Sequence, residues 1–437
     1  MTFSGRFLHD NDKLGQYPDS YYAATANVKL NLDQQAGEEK ADVCIIGAGF
    51  SGLSAALHLA KSGFKVIVLE AHRVGWGASG RNGGQLGTGQ RVEQDALEDM
   101  VGREDARKLW DLGLESVNLC KALITEYNIE CDLTPGILHA DHKAKYVAET
   151  RQYVEKLQRD YQYQDVRFIE RDEMRQMVGS DAYYGGSLDI QSAHLHPLNY
   201  ALGLAKAAIA AGVTIYEQSE VQNYTKTDPA LVTLQNGQVK AHFVLLACNG
   251  YLDDLDKKVA NKIMPINNYI AATEPLSEVQ ARDLIRDNVA VADSKFVINY
   301  FRLSADRRML FGGGESYRFK FPQDIKQFVT KPMLEIYPQL KDVKLDYAWG
   351  GTLGITVNRM PYFDKLAPNV FCAVGYSGHG IGMATLGGKL MAEVVQGTLA
   401  RFEVMENVKT PSFPGGTLLR WPGLVLAMSY YSIRDKL

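Results

Sequence analysis

Gly47, Gly49 and Gly52 stand in the spacing GxGxxG, and an acid, Glu70, follows them within the same short segment. Alone that spacing is a weak signal, because glycine-rich turns end many strands for structural reasons. Its context supplies the chemistry. Gly47 permits a tight turn, Gly49 lets a pyrophosphate approach the backbone, Gly52 lets helix and strand pack closely, and the free N–H groups around Ser51 at the helix start bind the anion. Glu70, with Ala71 beside it, ends the next strand, where a carboxylate accepts hydrogen bonds from an adenosine ribose. An acid there disfavours a 2′-phosphate, so the ligand is FAD or NAD and not NADP.

Residues 73–85, RVGWGASGRNGGQ, separate those two ligands. A nicotinamide enzyme has no need of a long Gly/Ser/Asn loop directly after the acidic strand, whereas FAD must thread its ribityl chain and isoalloxazine past one. The alternative is a flexible surface loop. Gly77, Ala78, Ser79, Arg81, Asn82, Gly83, Gly84, Gln85 and the adjoining Leu86 are therefore candidate flavin contacts.

Short buried strands must hold these residues. The apolar runs 43–46 and 66–69 have the length and β-branching of parallel strands, and the residues between them carry helical spacing, so 42–71 reads as a βαβ unit. Helical patterns cover 101–129 and 145–162, further parallel-type strands fall at 213–216, 243–247 and 370–374, and alternating strands lie between about 263 and 350. The expected fold class is α/β plus α+β. A discontinuous Rossmann-like FAD-binding domain takes 1–110, 190–262 and 352–437, and a substrate domain on a mainly antiparallel sheet takes 111–189 and 263–351.

A chain of 437 residues exceeds the size at which single cores stop growing, which fits two domains. With 46% hydrophobic and 22% charged residues, wholesale disorder is excluded, and a formal charge of -4 leaves no electrostatic footprint for nucleic acid. Cys44, Cys120, Cys131, Cys248 and Cys372 form no CxxC pair, and His194 and His196 lack a third ligand nearby, so neither a disulfide framework nor a metal site is expected. A reducing, cytoplasmic home follows. The polar stretch 9–20 has no apolar signal-peptide core and reads as an arm, and no run approaches the roughly 20 apolar residues of a membrane span. The apolar run 424–431 fits a helix packed on its own chain, so membrane contact is not expected.

Taken with these motifs, the sequence resembles the FAD-dependent amine and amino-acid oxidase family of glycine oxidase, sarcosine oxidase and D-amino-acid oxidase, some of whose members carry a GxGASGRNGGQ-like stretch after the ribose acid. HLHPLNYALGLAKAA (194–208) resembles the family's "HP" segment before the adenine-contacting strand. EQSEV (217–221) implies that the Val221 backbone meets the adenine, and VLLACNGY (244–251) places Gly250 at a strand end beside the cofactor. GYSGHGIG (375–382) resembles the loop that closes the flavin site, which implies roles for Gly378, His379, Gly380, Gly382 and the following Met383. The end segments SYYAATAN (20–27) and RWPGLVLAMSYYSIRDKL (420–437) resemble gamma-glutamylputrescine oxidases.

Departures from the pattern carry implications too. The segment 349–361 holds no cysteine where sarcosine oxidases tether flavin, so the resemblance implies non-covalent FAD. Gly382 stands where those enzymes have a lysine, leaving His379 or the helix start near Met383 to supply a positive field, and Asn358 replaces the usual acid.

Amine oxidation by a flavin needs the substrate C–H aimed at N5, a deprotonated amine, and exclusion of water from the imine. Aromatic walls desolvate an amine and lower its pKa, which nominates Tyr300, Phe301 and Trp349, with Tyr376 lining the same cavity. A substrate carboxylate would want a fork-shaped cation, for which Arg302, Arg318 and Arg359 are the candidates. The expected catalytic set is Trp349, His379, Tyr300 and Arg302. The expected reaction is hydride transfer from a primary amine, gamma-glutamylputrescine, to flavin N5, giving an aldehyde, ammonia and hydrogen peroxide with oxygen as acceptor. The alternatives are a flavin dehydrogenase that passes electrons from a D-amino acid or secondary amine to a quinone, and a non-catalytic flavoprotein or membrane-contacting partner.

Overall fold

A computed structural model describes residues 7–316 and 319–417; Arg318 and the 420–437 segment lie outside the described residues. Along the strand Gly37–Ile46, Val43 and Ile45 join one apolar cluster and Cys44 and Ile46 another, because successive side chains point to opposite faces. Both faces are apolar because both are covered. This strand lies between Gly237–Leu246 and Val66–Leu69, parallel to both, and Val370–Val374 and Thr214–Tyr216 extend the sheet in the same sense. Tyr362–Ala367 adds an antiparallel edge. The carboxyl ends of the parallel strands therefore open together at the centre of the sheet, where open α/β folds bind ligands.

A second, nine-stranded sheet runs in the order Leu345–Ile355, Met264–Thr273, Met309–Ser316, Tyr300–Leu303, Ala290–Asp293, Thr134–Ala140, Gly186–His194 and Gln85–Leu86, with Val166–Ile169 paired to Gly186–His194. It is antiparallel except where Ala290–Asp293 runs parallel to Thr134–Ala140. Phe301, Phe311 and Tyr269 pack on one face under the helix Ile325–Ile336.

The expected domain boundaries need correction in two places. The helix Arg103–Glu126 buries Leu109, Leu112, Val117, Cys120 and Leu123 in the same cluster as the helices Phe50–Lys61 and Gly380–Val395, so residues just after 111 belong to the first sheet's core. Strands of the second sheet also reach into 85–86, 190–194 and 352–355. The amphipathic pattern of a helix tells which face is buried and not which sheet buries it. The division into two discontinuous domains, so adjusted, is a proposal.

The N-terminal arm is ordered and fastened to both parts. Tyr17 Oη donates to the Val74 carbonyl at 2.7 Å, Asp12 pairs with Arg81 at 2.8 Å, and Tyr21 Oη donates to Asp306 at 2.8 Å. Among the described residues no helix is long and apolar enough to cross a membrane.

Candidate functional site

The turn after Gly37–Ile46 is built from backbone conformations that side chains would spoil. Gly47 has φ 107, in the left-handed region, and a Cβ there would stand 2.8 Å from the Ala247 carbonyl oxygen. A Cβ on Gly52 would lie 1.9 Å from the Gly47 carbonyl oxygen, so only glycine lets the helix Phe50–Lys61 sit this close to the strand. Gly49 caps that helix, and the Phe50 N–H donates to Ser79 Oγ at 3.0 Å, tying the 73–85 loop to the turn. Glu70 accepts from the Ala48 N–H at 2.8 Å and the His72 N–H at 2.9 Å. Burial pushes its carboxyl up to about 7 in spite of those donors.

A cavity of about 600 Å³ runs from this turn to the second sheet. Of the residues proposed from sequence as cofactor contacts, Gly47, Gly49, Ser51, Glu70, Ala71, Gly77, Ala78, Ser79, Arg81, Asn82, Gly83, Gln85, Val221, Gly378 and Gly380 line it, as do Tyr300, Tyr376 and Arg359. Its walls bring the two glycine-rich turns and the acidic strand end into one space.

Other expected residues stand behind the wall. Gly52, Gly84, Gly250 and Gly382 are packing glycines: a Cβ on Gly382, for example, would meet Ser116 Oγ at 2.5 Å. Leu86 and Met383 are core residues. His379 sits against the loop at Gly89, its Nε2 3.2 Å from the Gly89 carbonyl, and burial lowers its pKa to about 4, so it is neutral near pH 7 and adds no positive field. The helix after it begins at Gly380, earlier than Met383.

Two expected catalytic residues are also displaced from the cavity lining. Arg302 is buried and its guanidinium donates to the Gly83 carbonyl at 2.9 Å, the Leu195 carbonyl at 2.8 Å, the Leu303 carbonyl at 3.3 Å and Tyr22 Oη at 3.2 Å. It is a clamp between segments and has no face turned to a substrate carboxylate. Trp349 is 2% exposed, packs edge-on against Tyr22, and donates its indole N–H to the Arg81 carbonyl at 3.0 Å. It supports the wall from outside. Phe301 points to the opposite face of the second sheet, into the cluster under Ile325–Ile336, because it alternates with Tyr300.

Sequence reasoning missed several lining residues. Leu8 comes from the arm, Arg91 from a polar loop, and Asn268, Phe296 and Ile298 from the second sheet and its connections. None carries a local motif. Only Asn268 had a readable signal, since it and Asn267 interrupt a largely apolar strand, and it accepts a hydrogen bond from Tyr300 Oη. His194 and His196 are structural: His194 Nε2 bonds the Asn288 carbonyl at 2.7 Å, and His196 Nδ1 accepts from the Asn199 N–H at 3.1 Å to cap the helix Pro197–Ala210. Among the described residues no group of three His, Cys, Asp or Glu could hold a metal ion.

The residues fit a dinucleotide with a polar and an anionic part. At Gly47 and Gly49 a Cβ would stand 2.8 Å from the Ala247 carbonyl oxygen and from Ser79 Oγ respectively, so both positions turn bare backbone to the cavity they line. Arg81 is almost wholly buried, holds Asp12, the Trp76 carbonyl and the Gly350 carbonyl, and still has one nitrogen, Nη2, with no partner among the described residues while lining the cavity. A buried donor without a partner costs about 1–3 kcal/mol, which a bound acceptor would offset.

Comparison with known proteins agrees with this geometry. The family described as FAD dependent oxidoreductase (DAO) matches residues 42–394. The chain is 40% identical over 423 residues to a gamma-glutamylputrescine oxidoreductase of Escherichia coli, covering 97% of this chain and 99% of that protein. It is also 40% identical over 418 residues to a probable oxidoreductase, OrdL, of Rhizobium meliloti, covering 95% and 97%. Among solved structures, glycine oxidase from Geobacillus kaustophilus superposes with a TM-score of 0.72 at 20% identity, over 83% of this chain and 98% of that one, which marks a shared fold.

Proposed function

Because the chain belongs to the FAD-dependent oxidoreductase family and is an enzyme of amines or amino acids with FAD as its cofactor, we propose that it oxidises a primary amine, gamma-glutamylputrescine, by two electrons to an imine, which water hydrolyses after release to an aldehyde and ammonia. The observation that carries this reading is the 40% identity to a gamma-glutamylputrescine oxidoreductase, which extends over 97% of the chain and includes both glycine-rich turns. Bound FAD supplies a two-electron acceptor at N5, which oxygen regenerates with release of hydrogen peroxide.

The chain's own residues bind, orient and exclude water. The N–H groups following Gly47 and Gly49 receive the pyrophosphate, Glu70 accepts from the ribose hydroxyls, and the Val221 backbone takes the adenine. The 77–85 loop and the Gly378 and Gly380 turn enclose the flavin without a covalent tether, since the segment 349–361 holds no cysteine and the cysteine that lines the cavity, Cys248, is engaged with the Ile46 carbonyl through its Sγ at 3.3 Å. Tyr300 and Phe296 give the reacting amine an apolar, aromatic wall, which favours its neutral form.

The test is anaerobic titration of the purified holoenzyme. Gamma-glutamylputrescine should bleach the flavin in a single turnover, and readmitted oxygen should restore the colour with one equivalent of peroxide. Full reduction by D-alanine or sarcosine, with none by gamma-glutamylputrescine, would overturn the substrate.

Glu70 gives FAD binding a pH dependence. The free carboxyl titrates near 7, and ribose hydroxyls donating to it favour the charged form, so its pKa is lower when FAD is bound. Binding then releases a proton, and affinity is full above pH 7 and declines as pH falls below it. Flavin release followed by fluorescence between pH 5 and pH 8 should reveal that decline, by at most about tenfold per pH unit. Glu70→Gln should bind more weakly at pH 8 and have a flat profile. An unchanged slope in that variant would assign the titration to another group.

A further inference from the structure

We infer that residues 8–12 of the N-terminal arm are part of the cofactor site, forming a strap over the adenosine half of FAD that lifts before the cofactor enters or leaves. That position follows from the reading of Glu70 and Val221 as the adenosine contacts, and the strap itself precedes the residues that match the family, 42–394.

The arm reaches the cavity. Leu8 lines it together with Trp76 and Arg81, from the loop after Glu70, and with Glu220, the neighbour of Val221 in the chain. Next to Leu8, His9 Nε2 stands 3.1 Å from Glu220 Oε2. Leu8 is therefore at the adenosine end.

Two grips hold the arm to the loops of the first sheet. His72 Nε2 donates to the Leu8 carbonyl at 2.8 Å, and His72 Nδ1 accepts from the Gly15 N–H at 3.3 Å. A carbonyl only accepts and an N–H only donates, so both contacts require one neutral tautomer, which burial favours by lowering the pKa of the ring. The His72 N–H donates to Glu70 at 2.9 Å, so the ribose acid and the arm share one support. The His72 ring stacks on Trp76 with centres 3.7 Å apart, and the Arg81 guanidinium lies 4.3 Å from the centre of the Trp76 ring. Asp12 makes the second grip through its ion pair with Arg81 at 2.8 Å. Leu8 and Asp12 thus fasten the two residues packed on Trp76.

A third grip crosses to the other side. Asn11 Nδ2 donates to the Phe319 carbonyl at 2.9 Å and Asn11 Oδ1 accepts from the Phe321 N–H at 2.8 Å, both in the connection between the second-sheet strand Met309–Ser316 and the helix Ile325–Ile336. Asn267, in the strand Met264–Thr273, donates to the same Phe319 carbonyl at 3.2 Å, and Phe7 packs on Phe319 with ring centres 5.1 Å apart. The strap therefore bridges loops of both sheets and carries a lining residue.

Its construction suits local opening. Residues 8–12 lie in turns and bends outside any helix or strand, and His9 is exposed. Such a segment opens on its own while both sheets stay folded. All three grips are on protein groups, so the strap is closed before FAD arrives as well as after.

The experiment measures FAD exchange in the full-length protein. Asn11→Ala removes the far grip, whereas Leu8→Ala removes a side chain from the wall and keeps the main-chain carbonyl that His72 holds. Release is read from flavin fluorescence after dilution of the holoenzyme, and uptake from the fluorescence change when FAD is added to apoprotein. Asn11→Ala should speed both release and uptake by at least about tenfold, the worth of the two hydrogen bonds removed, because a looser strap is open more often. Leu8→Ala should speed release alone. An arm that only braces the fold would change release or the melting temperature without speeding uptake. Unchanged or slower uptake in Asn11→Ala, or unchanged release in Leu8→Ala, overturns the proposal. Asn11→Asp keeps the acceptor for the Phe321 N–H, so its uptake should fall between those of Asn11→Ala and the unsubstituted protein, and it makes the same comparison if Asn11→Ala does not fold. If Glu70→Gln binds FAD at pH 8 as tightly as the unsubstituted protein, the adenosine placement fails, and the uptake rate of Asn11→Ala still decides whether the arm gates the cavity.

Discussion

Gly52→Ala should purify colourless. The new methyl would stand 1.9 Å from the Gly47 carbonyl oxygen, and both partners are main chain, so no side-chain rotation relieves the overlap. The helix Phe50–Lys61 must lift from the strand Gly37–Ile46, carrying with it the N–H groups proposed to receive the pyrophosphate. Overpacking of this kind costs about 1–3 kcal/mol of stability, and each lost charge-assisted hydrogen bond to the phosphates costs about 1.5–3 kcal/mol. Loss of two such bonds weakens FAD binding by on the order of a hundredfold or more. The measurement is the ratio of flavin to protein absorbance after purification, followed by titration with added FAD. Gly49→Ala separates the two roles of the turn: its methyl meets Ser79 Oγ at 2.8 Å and no backbone atom, so the helix stays on the strand, but it intrudes where the pyrophosphate approaches, and flavin should be lost with little change in stability. Equal flavin content in Gly52→Ala and the unsubstituted protein would mean that the turn does not hold the cofactor.

The contrast between these two glycines indicates what a sequence can disclose. The GxGxxG spacing, the parallel strands around it and the 73–85 loop were legible because each depends on near neighbours in the chain. So was the class of the second sheet, since alternation is a local pattern. Its order was not: Ala290–Asp293 pairs in parallel with Thr134–Ala140 across a long stretch of chain, and no local signal announces a partner so distant. Arg302 failed for the same reason. An arginine in a strand is equally compatible with a substrate carboxylate and with a structural clamp, and only the fold brings the Gly83 and Leu195 carbonyls to it. Arg91 went unnoticed because it lies in a polar loop, where arginines are ordinarily solvated.

Trp349→Ala should destabilise the whole protein and take the flavin with it. As a roof over the substrate, Trp349 would affect the rate of flavin reduction and leave flavin content alone. Its surroundings argue otherwise. The ring is 2% exposed, lies in the large core cluster with Leu245 and Leu310, and meets Tyr22 edge-on at 5.1 Å. Truncating a buried tryptophan costs about 3–5 kcal/mol, a large share of the roughly 5–15 kcal/mol by which proteins are stable. The indole N–H also holds the Arg81 carbonyl at 3.0 Å, and Arg81 lines the cavity with a nitrogen that has no described protein partner. Releasing that backbone lets the 77–85 loop move, so FAD affinity falls together with the melting temperature. Trp349→Phe separates the two contributions: it keeps most of the ring contact and loses only the hydrogen bond, at about 1–3 kcal/mol, and should retain most of its flavin. Thermal unfolding and flavin occupancy are to be read on the same preparations, with stopped-flow reduction by gamma-glutamylputrescine on whatever holoenzyme remains. A Trp349→Ala protein with unaltered melting and full flavin content, but reduction slowed about a hundredfold, would restore Trp349 to the substrate cavity, since misplacing the reacting carbon has that effect on rate.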